Sequence, residues 1–241
     1  MPPVIILVRP QMPENIGAAA RAMLNFGLER MRVVAPRDGW PSPKAVAMVS
    51  GAGRILDAAG HYGSVAGAVA DCDYVLATTA RGRDLTKPVF APDQAMADAR
   101  ALAASGKRVG ILFGPERAGL ENDDLLHAGA IVSVPVNPDF PSLNLAQCVL
   151  LLGYEWRREG GAASAGAVGL AAADLAPRHE VEILAGHWEA RLEEAGFFFP
   201  EAKAVGMKRN LRNLWSRMPL TRADVQTLHG ALRQILRRGG G

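Results

Sequence analysis

The sequence predicts an α/β fold with a mostly parallel sheet, helices on both of its faces, and a small all-helical extension at the C-terminus. Two observations lead to this prediction. Short apolar runs rich in β-branched residues alternate with segments of helical periodicity as far as residue 158, a pattern typical of strands joined by helical crossovers. From residue 174 onward the apolar residues follow helical spacing only, which indicates a separate helical unit.

The composition divides the 241 residues into two units. Gly160–Gly169 consists almost entirely of Gly, Ala and Ser, which is typical of a linker. The predicted division is therefore an α/β domain over 1–158, a flexible linker over 159–173 and a helical extension over 174–241. A chain of this length accommodates one full core together with a smaller appendage.

Composition and patterning exclude several classes of protein. The chain is 49% apolar and 21% charged, which is ordinary for a globular protein. Its apolar runs are far shorter than the ~20 residues that cross a bilayer, and the N-terminus lacks the features of a signal peptide. Cys72 and Cys148 have no metal or redox spacing, and the five histidines form no metal-like cluster. We therefore expect a cytoplasmic protein with reduced cysteines, no metal and no membrane partner.

The elements of the α/β part follow from these patterns in order. Strands are predicted at Val4–Val8, Met31–Ala35, Tyr74–Thr78, Val109–Phe113 and Ile131–Val136. Helices are predicted at Glu14–Phe26, Lys44–Gly53, Pro92–Ala104 and Asp123–His127. Gly27 ends the first helix because glycine readily adopts the backbone conformation found after a helix C-terminus.

The first helix has one face of small residues around a single arginine. Its core face carries Ile16, Ala20, Met23 and Leu24, and the other side carries Gly17, Ala18, Arg21, Ala22 and Asn25. The small side chains leave room for a large partner to approach Arg21.

The segment 131–152 combines a strand, a stiff loop and a helix. Asn137-Pro138 and Pro141 forbid a regular strand or helix, and Ser142 is predicted to cap the helix that follows. That helix is apolar almost all round from Leu145 to Leu152, which predicts a buried helix. Loops at the carboxyl ends of strands in α/β sheets are the usual ligand positions. The alternative is a proline-rich turn in which Ser142 acts only as a cap.

The C-terminal extension has apolar stripes at helical spacing and a surplus of basic residues. The stripes comprise Val181, Leu184, Trp188 and Leu192, then Leu211, Leu214, Trp215 and Met218, then Val225, Leu228, Leu232, Ile235 and Leu236. Thr221 and Asp224 have the spacing of a capping box. From Lys203 to Arg238 there are nine Lys or Arg residues and one acid, Asp224. This surplus favours an anionic partner, nucleic acid before membrane; a solvated basic face is the alternative.

Three stretches together resemble a known family. Asn15–Ala22, Leu112–Leu120 and Ser142–Ala146 resemble, in order and spacing, the three motifs of the SpoU-type RNA ribose 2′-O-methyltransferases of the SPOUT superfamily. Gly196–Pro200 and Arg209–Leu214 resemble the C-terminal extension of the TrmJ-type branch. Members of that branch methylate the pyrimidine at position 32 of tRNA.

The resemblance implies more than the residue patterns do. It implies a trefoil knot in the C-terminal part of the α/β domain, a homodimer, and S-adenosylmethionine as the methyl donor, with tRNA and not DNA as the partner. The donor-binding residues that it implies are Thr79, Ala80, Arg81, Gly114, Val134, Ser142, Leu143 and Asn144. Glycine at 114 permits close approach of the backbone to the donor, although an ordinary turn is the alternative for Gly114-Pro115.

The residues expected at the reacting end are Arg21, Asn15, Glu116, Ser142 and Asn144. The family interpretation makes Arg21 the base, but a guanidinium keeps its proton far above neutral pH. We expect Arg21 to clamp a phosphate and to stabilise the developing alkoxide. Asn15 is expected to cap its helix and to help place Arg21 or the acceptor. Glu116 is expected to hold loop amides or pair with an arginine, with an ordinary surface acid as the alternative.

Three other functions compete with this one. Ribosomal RNA in place of tRNA is the first, and a non-catalytic RNA-binding protein with the same fold is the second. The third, a dinucleotide-binding enzyme, is disfavoured because no G-x-G-x-x-G follows the first strand.

Overall fold

The computed structural model describes residues 1–49, 51–79 and 87–239. Within them the chain forms a seven-stranded sheet of order β3-β2-β1-β6-β4-β7-β5, in which all the strand pairs are parallel. The strands are β1 (Val4–Val8), β2 (Met31–Val34), β3 (Gly60–Tyr62), β4 (Tyr74–Thr78), β5 (Val89–Phe90), β6 (Val109–Phe113) and β7 (Ala130–Val132). The predicted parallel α/β fold with a helical C-terminal region is confirmed; the trefoil knot stays a prediction.

Helices cover both faces of the sheet and make up the C-terminal part of the chain. They are α1 (Pro13–Asn25), α2 (Pro43–Met48), α3 (Gly53–Asp57), α4 (Val65–Val69), α5 (Pro92–Ala104), α6 (Asn122–Leu125), α7 (Leu145–Arg158), α8 (Ala165–Ala172), α9 (Arg178–Glu194), α10 (Glu201–Arg217) and α11 (Arg222–Gly239).

Strand β1 shows why the sheet is apolar on both sides. All five of its residues are buried, and successive side chains point to opposite faces. Ile5 and Leu7 belong to a core covered by α1, α2, α3, α5 and α7, whereas Ile6 and Val8 belong to a core covered by α4 and α6. A parallel strand buried in this way is a continuous apolar run, which is the pattern that predicted it.

Several short elements differ from the sequence prediction. Strands β3 and β5 and helix α4 were not predicted, because runs of two to five residues are too short to show a period. The region predicted as one helix, Lys44–Gly53, contains α2 and the start of α3. Strand β7 ends at Val132 instead of Val136, because both of its neighbours end level with it, β4 at Thr78 and β5 at Phe90.

Two further predictions are corrected by the helices after β7. Helix α7, apolar almost all round from Leu145 to Leu152, was predicted to be buried. Leu150 is in fact 41% exposed, and the buried residues of α7 face α1 and α5. The segment 159–173 was predicted to be a linker, but it contains α8, which packs on α5. Ala-rich sequence forms a helix readily, and the small residues of α8 allow that close packing. The division into 1–158 and 174–241 stays a prediction.

The C-terminal helices have their own core, formed by the predicted stripes. Val181, Leu184 and Trp215 are buried there with Leu220 and Val225. The capping box at the start of α11 is present: the Asp224 backbone N–H donates to Thr221 Oγ1 (3.1 Å), and the Thr221 N–H donates to Asp224 Oδ2 (2.9 Å).

Acidic residues of α9 compensate much of the basic surplus in this region. The ion pairs that α9 residues make with α10 and α11 are Lys208–Glu193, Arg212–Glu189 and Arg222–Glu180. Arg209 pairs with Asp123 of α6. The surplus counted from Lys203 onward therefore overstates the basic charge available to a partner.

A buried lysine joins the α/β part to the C-terminal helices. Lys87 Nζ donates to the Ala128 carbonyl oxygen (2.7 Å) and to Ser216 Oγ (2.6 Å). Burial, together with the charges of Arg178 and Arg217, lowers the pKa of Lys87 to about 7. The ammonium form is therefore destabilised in the folded chain relative to the unfolded one.

This lysine predicts a pH-dependent stability. Between pH 7 and about 10 the unfolded Lys87 holds a proton that the buried one releases, so stability rises with pH across this window, by at most about 1.4 kcal/mol per pH unit. Below pH 7 the cost of burying the charge is fully present. Urea unfolding at pH 7, 8 and 9 measures the slope, which Lys87→Met should flatten and Lys44→Met, at an exposed lysine, should leave unchanged. Equal slopes in all three proteins would contradict the prediction.

Candidate active site

Three separate stretches of the chain meet through one hydrogen-bond network. Asn15 Nδ2 donates to Glu116 Oε1 (2.7 Å), and Asn144 Nδ2 donates to Asn15 Oδ1 (3.0 Å). Glu116 also accepts hydrogen bonds from the backbone N–H groups of Gln11 (2.9 Å) and Met12 (3.2 Å). The network therefore fixes the loop before α1, the loop after β6 and the start of α7 relative to one another.

Asn15 has a different structural role from the predicted one. Helix α1 begins at Pro13, and the residue before it, Met12, makes no side-chain cap. Asn15 lies inside the first turn and is buried, so its amide is directed to Glu116 and Asn144 instead of to its own helix. Pro13 makes a cap less necessary, because proline at the first helical position has no N–H to satisfy.

Asn144, and not Ser142, caps α7. Asn144 Oδ1 accepts hydrogen bonds from the backbone N–H groups of Ala146 (2.8 Å) and Gln147 (3.3 Å). Both residue types cap helices well, so the sequence alone did not distinguish them. Asn144 uses its oxygen for the cap and its NH₂ group for Asn15, whereas a serine at this position has no second group of that reach.

A cavity of about 230 Å³ lies beside this network, at the carboxyl ends of β4, β6 and β7. It is lined by Thr78, Thr79, Phe113, Gly114, Pro115, Glu116, Arg117, Ala118, Gly119, Val132, Val134, Val136, Pro141, Ser142, Leu143, Leu145 and Cys148. Six of the residues predicted from the sequence line it: Thr79, Gly114, Glu116, Val134, Ser142 and Leu143. The predicted Ala80 and Arg81 lie outside the described residues. The loops predicted to surround a ligand do converge on one cavity.

Gly114 lines the cavity at a position where a side chain has no room. A Cβ at this position would lie 2.3 Å from the Leu120 backbone nitrogen and 2.5 Å from the Gly119 carbonyl carbon. The loop after β6 folds back against its own beginning, and only glycine permits this.

Arg21 is exposed on α1 and does not line the cavity. It makes no hydrogen bond or ion pair within the ranges 1–49, 51–79 and 87–239. The small residues near Arg21 were predicted to leave room for a partner, but they pack inside the domain. A Cβ on Gly17 would lie 2.2 Å from the Ala45 carbonyl oxygen, and Ala22 is buried in the core. They permit close packing of α1 within the domain.

Cys148 and Thr78 line the cavity although the sequence did not single them out for it. Burial raises the pKa of the Cys148 thiol to about 11, so the thiol stays neutral and acts as an apolar wall. Thr78 Oγ1 donates to the Leu112 carbonyl oxygen (3.0 Å). Cys148 follows Asn144 by one helical turn, and this spacing was the feature of the sequence that could have predicted its position near the cavity.

Arg9 is hydrogen-bonded to α6, the short helix that follows the loop after β6. Its guanidinium donates to both carboxylate oxygens of Asp124, and Asp124 Oδ2 also accepts from the Glu121 backbone N–H (2.7 Å). A bidentate pair of this kind holds geometry well.

The described residues offer neither a metal-binding cluster nor a membrane-spanning helix. No group of three or more His, Cys, Asp or Glu side chains in that part of the chain is placed to hold a metal ion. No helix there is long and apolar enough to cross a membrane.

Comparison with known proteins agrees with this architecture. Residues 2–154 match the SpoU rRNA Methylase family, and because this match spans more than half of the chain, the chain belongs to that family of RNA methyltransferases. Residues 179–241 match the C-terminal domain of the tRNA methyltransferase TrmJ. The family and branch resemblances seen in the sequence are thereby confirmed.

This chain is similar to TrmJ over nearly its whole length. It is 35% identical to tRNA (cytidine/uridine/adenosine-2'-O-)-methyltransferase TrmJ from Pseudomonas aeruginosa, over 95% of this chain and 91% of that protein. It is 31% identical to tRNA (cytidine/uridine-2'-O-)-methyltransferase TrmJ from Pectobacterium atrosepticum, over 96% and 95%. The crystal structure of TrmJ from Z. mobilis superposes with a TM-score of 0.88 at 49% identity, covering 98% of this chain and 99% of that one.

Proposed function

We propose that the chain is an S-adenosylmethionine-dependent tRNA methyltransferase that acts on the ribose 2′-hydroxyl of the pyrimidine at position 32. The observation that carries the proposal is the Asn15–Glu116–Asn144 network, which brings the three motif stretches together beside one cavity. The C-terminal helices and the similarity to TrmJ favour tRNA over other RNA. A homodimer located in the cytoplasm is part of the proposal.

The cavity suits the methyl donor in shape and in charge. Because Gly114 has no side chain, a flat ring of the donor can lie close to the backbone there. The side chains of Val134, Leu143 and Leu145 provide apolar surface beside it. The donor brings a methyl group on a positively charged sulfonium, and that charge disappears as the methyl group moves to the hydroxyl oxygen. A mostly apolar wall favours such a reaction, because it does not stabilise the starting charge as water does.

The protein's part in the reaction is to orient the acceptor and to stabilise the negative charge that develops on its oxygen. Arg21 is exposed and unpaired among the described residues, so its guanidinium is available to bind an RNA phosphate in bidentate fashion. Held there, it orients the ribose and stabilises the developing alkoxide. The proton leaves to the phosphate or to water. Asn15, Glu116 and Asn144 keep the loops in place, and Ser142 lines the cavity that holds the donor.

The direct test is methyl transfer from labelled S-adenosylmethionine to unmodified tRNA. We expect a single 2′-O-methylated nucleoside at position 32, from cytidine and from uridine. Because one relative is also named for adenosine, tRNA variants with adenosine at position 32 belong in the same assay. Transfer to ribosomal RNA in place of tRNA would favour the alternative substrate, and donor binding without any transfer would favour a non-catalytic RNA-binding protein.

The C-terminal helices predict a specific set of RNA contacts. Lys203, Arg233 and Arg237 form no ion pair within the described part of the chain, unlike Lys208 and Arg212. Replacing the three with alanine should weaken tRNA binding by about tenfold or more, because each phosphate contact releases counterions, and donor affinity should not change. Filter binding at several salt concentrations measures the tRNA affinity and its salt dependence, and calorimetry measures the donor affinity. An unchanged tRNA affinity or salt slope would remove these residues from the interface.

Glu116→Gln tests the network. The carboxylate accepts three hydrogen bonds, and a glutamine directs an NH₂ group at some of the same donors. We expect a loss of about 1–2 kcal/mol in the free energy of unfolding and a fall of about a hundredfold in kcat/KM, because the loops lose their alignment. Glu29→Gln, in an exposed ion pair, should be nearly neutral in both measurements. A fully active Glu116→Gln protein would show that the network is not needed.

A further inference from the structure

A second cavity lies where the C-terminal helices pack on the α/β part. This junction cavity has a volume of about 220 Å³. Its wall includes Leu102 of α5, Leu170 of α8, Val181 of α9 and Leu220, so most of its surface is apolar and comes from both parts of the chain. The methyl-transfer site described above does not use it.

Arg178 lines the junction cavity and is only 6% exposed. Its Nη1 makes one long hydrogen bond, to the Ser216 carbonyl oxygen (3.4 Å), and its Nε and Nη2 have no hydrogen-bond partner in the described structure. Nε and Nη2 form one edge of the guanidinium, which is the edge that binds a carboxylate or phosphate through two parallel hydrogen bonds. A buried guanidinium with two unfilled donors is costly unless an acceptor is supplied.

The carboxylates near Arg178 do not supply that acceptor. Glu182 Oε1 lies 3.9 Å from Nη2 and is also 3.5 Å from His127 Nδ1. Asp98 and Asp73 line the same cavity. Asp98 already accepts hydrogen bonds from Gln94 and from the backbone and hydroxyl of Ser164, and Asp73 accepts one from the Arg108 backbone N–H.

Charged residues of both signs line this cavity, Arg178 and Arg217 together with Asp73 and Asp98, and a buried lysine lies next to it. The buried Lys87 donates to Ser216 Oγ, and Ser216 is itself part of the cavity wall. Lys87 forms no ion pair among the described residues, and because burial lowers the pKa of its ammonium group to about 7, it carries only part of a positive charge near neutral pH.

We propose that the junction cavity binds a small organic anion, whose carboxylate or phosphate group accepts hydrogen bonds from Arg178 and whose apolar body contacts Leu170, Val181 and Leu220. The wall of the cavity comes from both the α/β part, through Leu102, and the C-terminal helices, so binding stabilises their packing against each other. An inorganic anion would satisfy the guanidinium but leave the apolar wall uncovered.

The test uses the full chain with four probes: benzoate, phenyl phosphate, inorganic phosphate and the cationic benzamidine. Calorimetry should show saturable binding of benzoate or phenyl phosphate, with a raised Tm, and weaker or no binding of the other two. Arg178→Met should weaken the binding by about tenfold or more. Arg191→Met, at an exposed arginine of the same helix, should leave it unchanged.

Ala167→Leu provides a second, independent variant. Ala167 is buried in α8 and lines the junction cavity, so leucine fills the space and should abolish binding while Arg178 remains. It therefore keeps the test decisive if Arg178→Met fails to fold. The proposal is overturned if neither aromatic anion binds the native chain, if inorganic phosphate or benzamidine binds as tightly, or if Ala167→Leu or Arg178→Met binds the aromatic anion as tightly as the native chain does.

Discussion

Replacing Arg21 with alanine is expected to lower kcat for tRNA methylation by about 10²–10³-fold, the usual cost of removing one group that stabilises developing negative charge. Arg21 is outside the donor cavity, so the affinity for S-adenosylmethionine should be unchanged. Because Arg21 is exposed and unpaired in the described structure, stability should also be unaffected. Single-turnover rates with saturating donor, donor calorimetry and urea unfolding measure the three quantities.

Arg21→Lys separates the two roles considered for this residue. A lysine also binds phosphate but lacks the bidentate fork, so a clamp predicts partial activity with little dependence on pH between 7 and 9. A base predicts that the lysine variant gains activity as pH rises toward the lysine pKa. Arg30→Ala, at another exposed arginine, serves as the control. Full activity in Arg21→Ala would show that Arg21 neither binds the RNA phosphate nor stabilises the developing alkoxide.

The strands were predictable because a parallel sheet covered on both faces imposes a simple rule on its sequence. Residues of β1 and β6 have no solvent-facing side, so each strand is an unbroken apolar run. Strand β3 lies at the edge of the sheet and contains the exposed His61, so it follows no such rule. Its three residues form a strand only because β2 is already in place beside them.

The convergence of the three motif stretches was predictable, but its details were not. Six of the predicted residues line the cavity at the carboxyl ends of β4, β6 and β7, and their roles stay a prediction. The choice between Ser142 and Asn144 as helix cap depended on where Asn15 lies, 129 residues away in sequence. The compensation of basic charge by α9 likewise depended on which helices pack together. Such contacts are set by the tertiary structure, and local patterns do not encode them.

Gly114→Ala is expected to damage the donor site more than any other single-methyl change in the cavity wall. The added Cβ would meet backbone atoms of Gly119 and Leu120 at 2.3–2.5 Å, and backbone cannot move aside as a flexible side chain can. Gly114 is not among the residues with positive φ, so the cost comes from this overlap and not from backbone strain. We expect the loop after β6 to shift, with a loss of about 1–3 kcal/mol in the free energy of unfolding.

That displacement should have its main effect on the donor. The loop carries Glu116 and forms a wall of the cavity, so S-adenosylmethionine affinity should fall by more than tenfold and methyl transfer by about a hundredfold or more. Gly186→Ala is the matched control, since nothing lies within 4 Å of its added Cβ on α9, and alanine there should stabilise the helix by up to about 1 kcal/mol. Calorimetry with the donor, urea unfolding and methyl-transfer rates compare the two variants. If Gly114→Ala binds the donor as tightly as Gly186→Ala does, the donor does not lie against this wall, and the cavity between β4, β6 and β7 has another use.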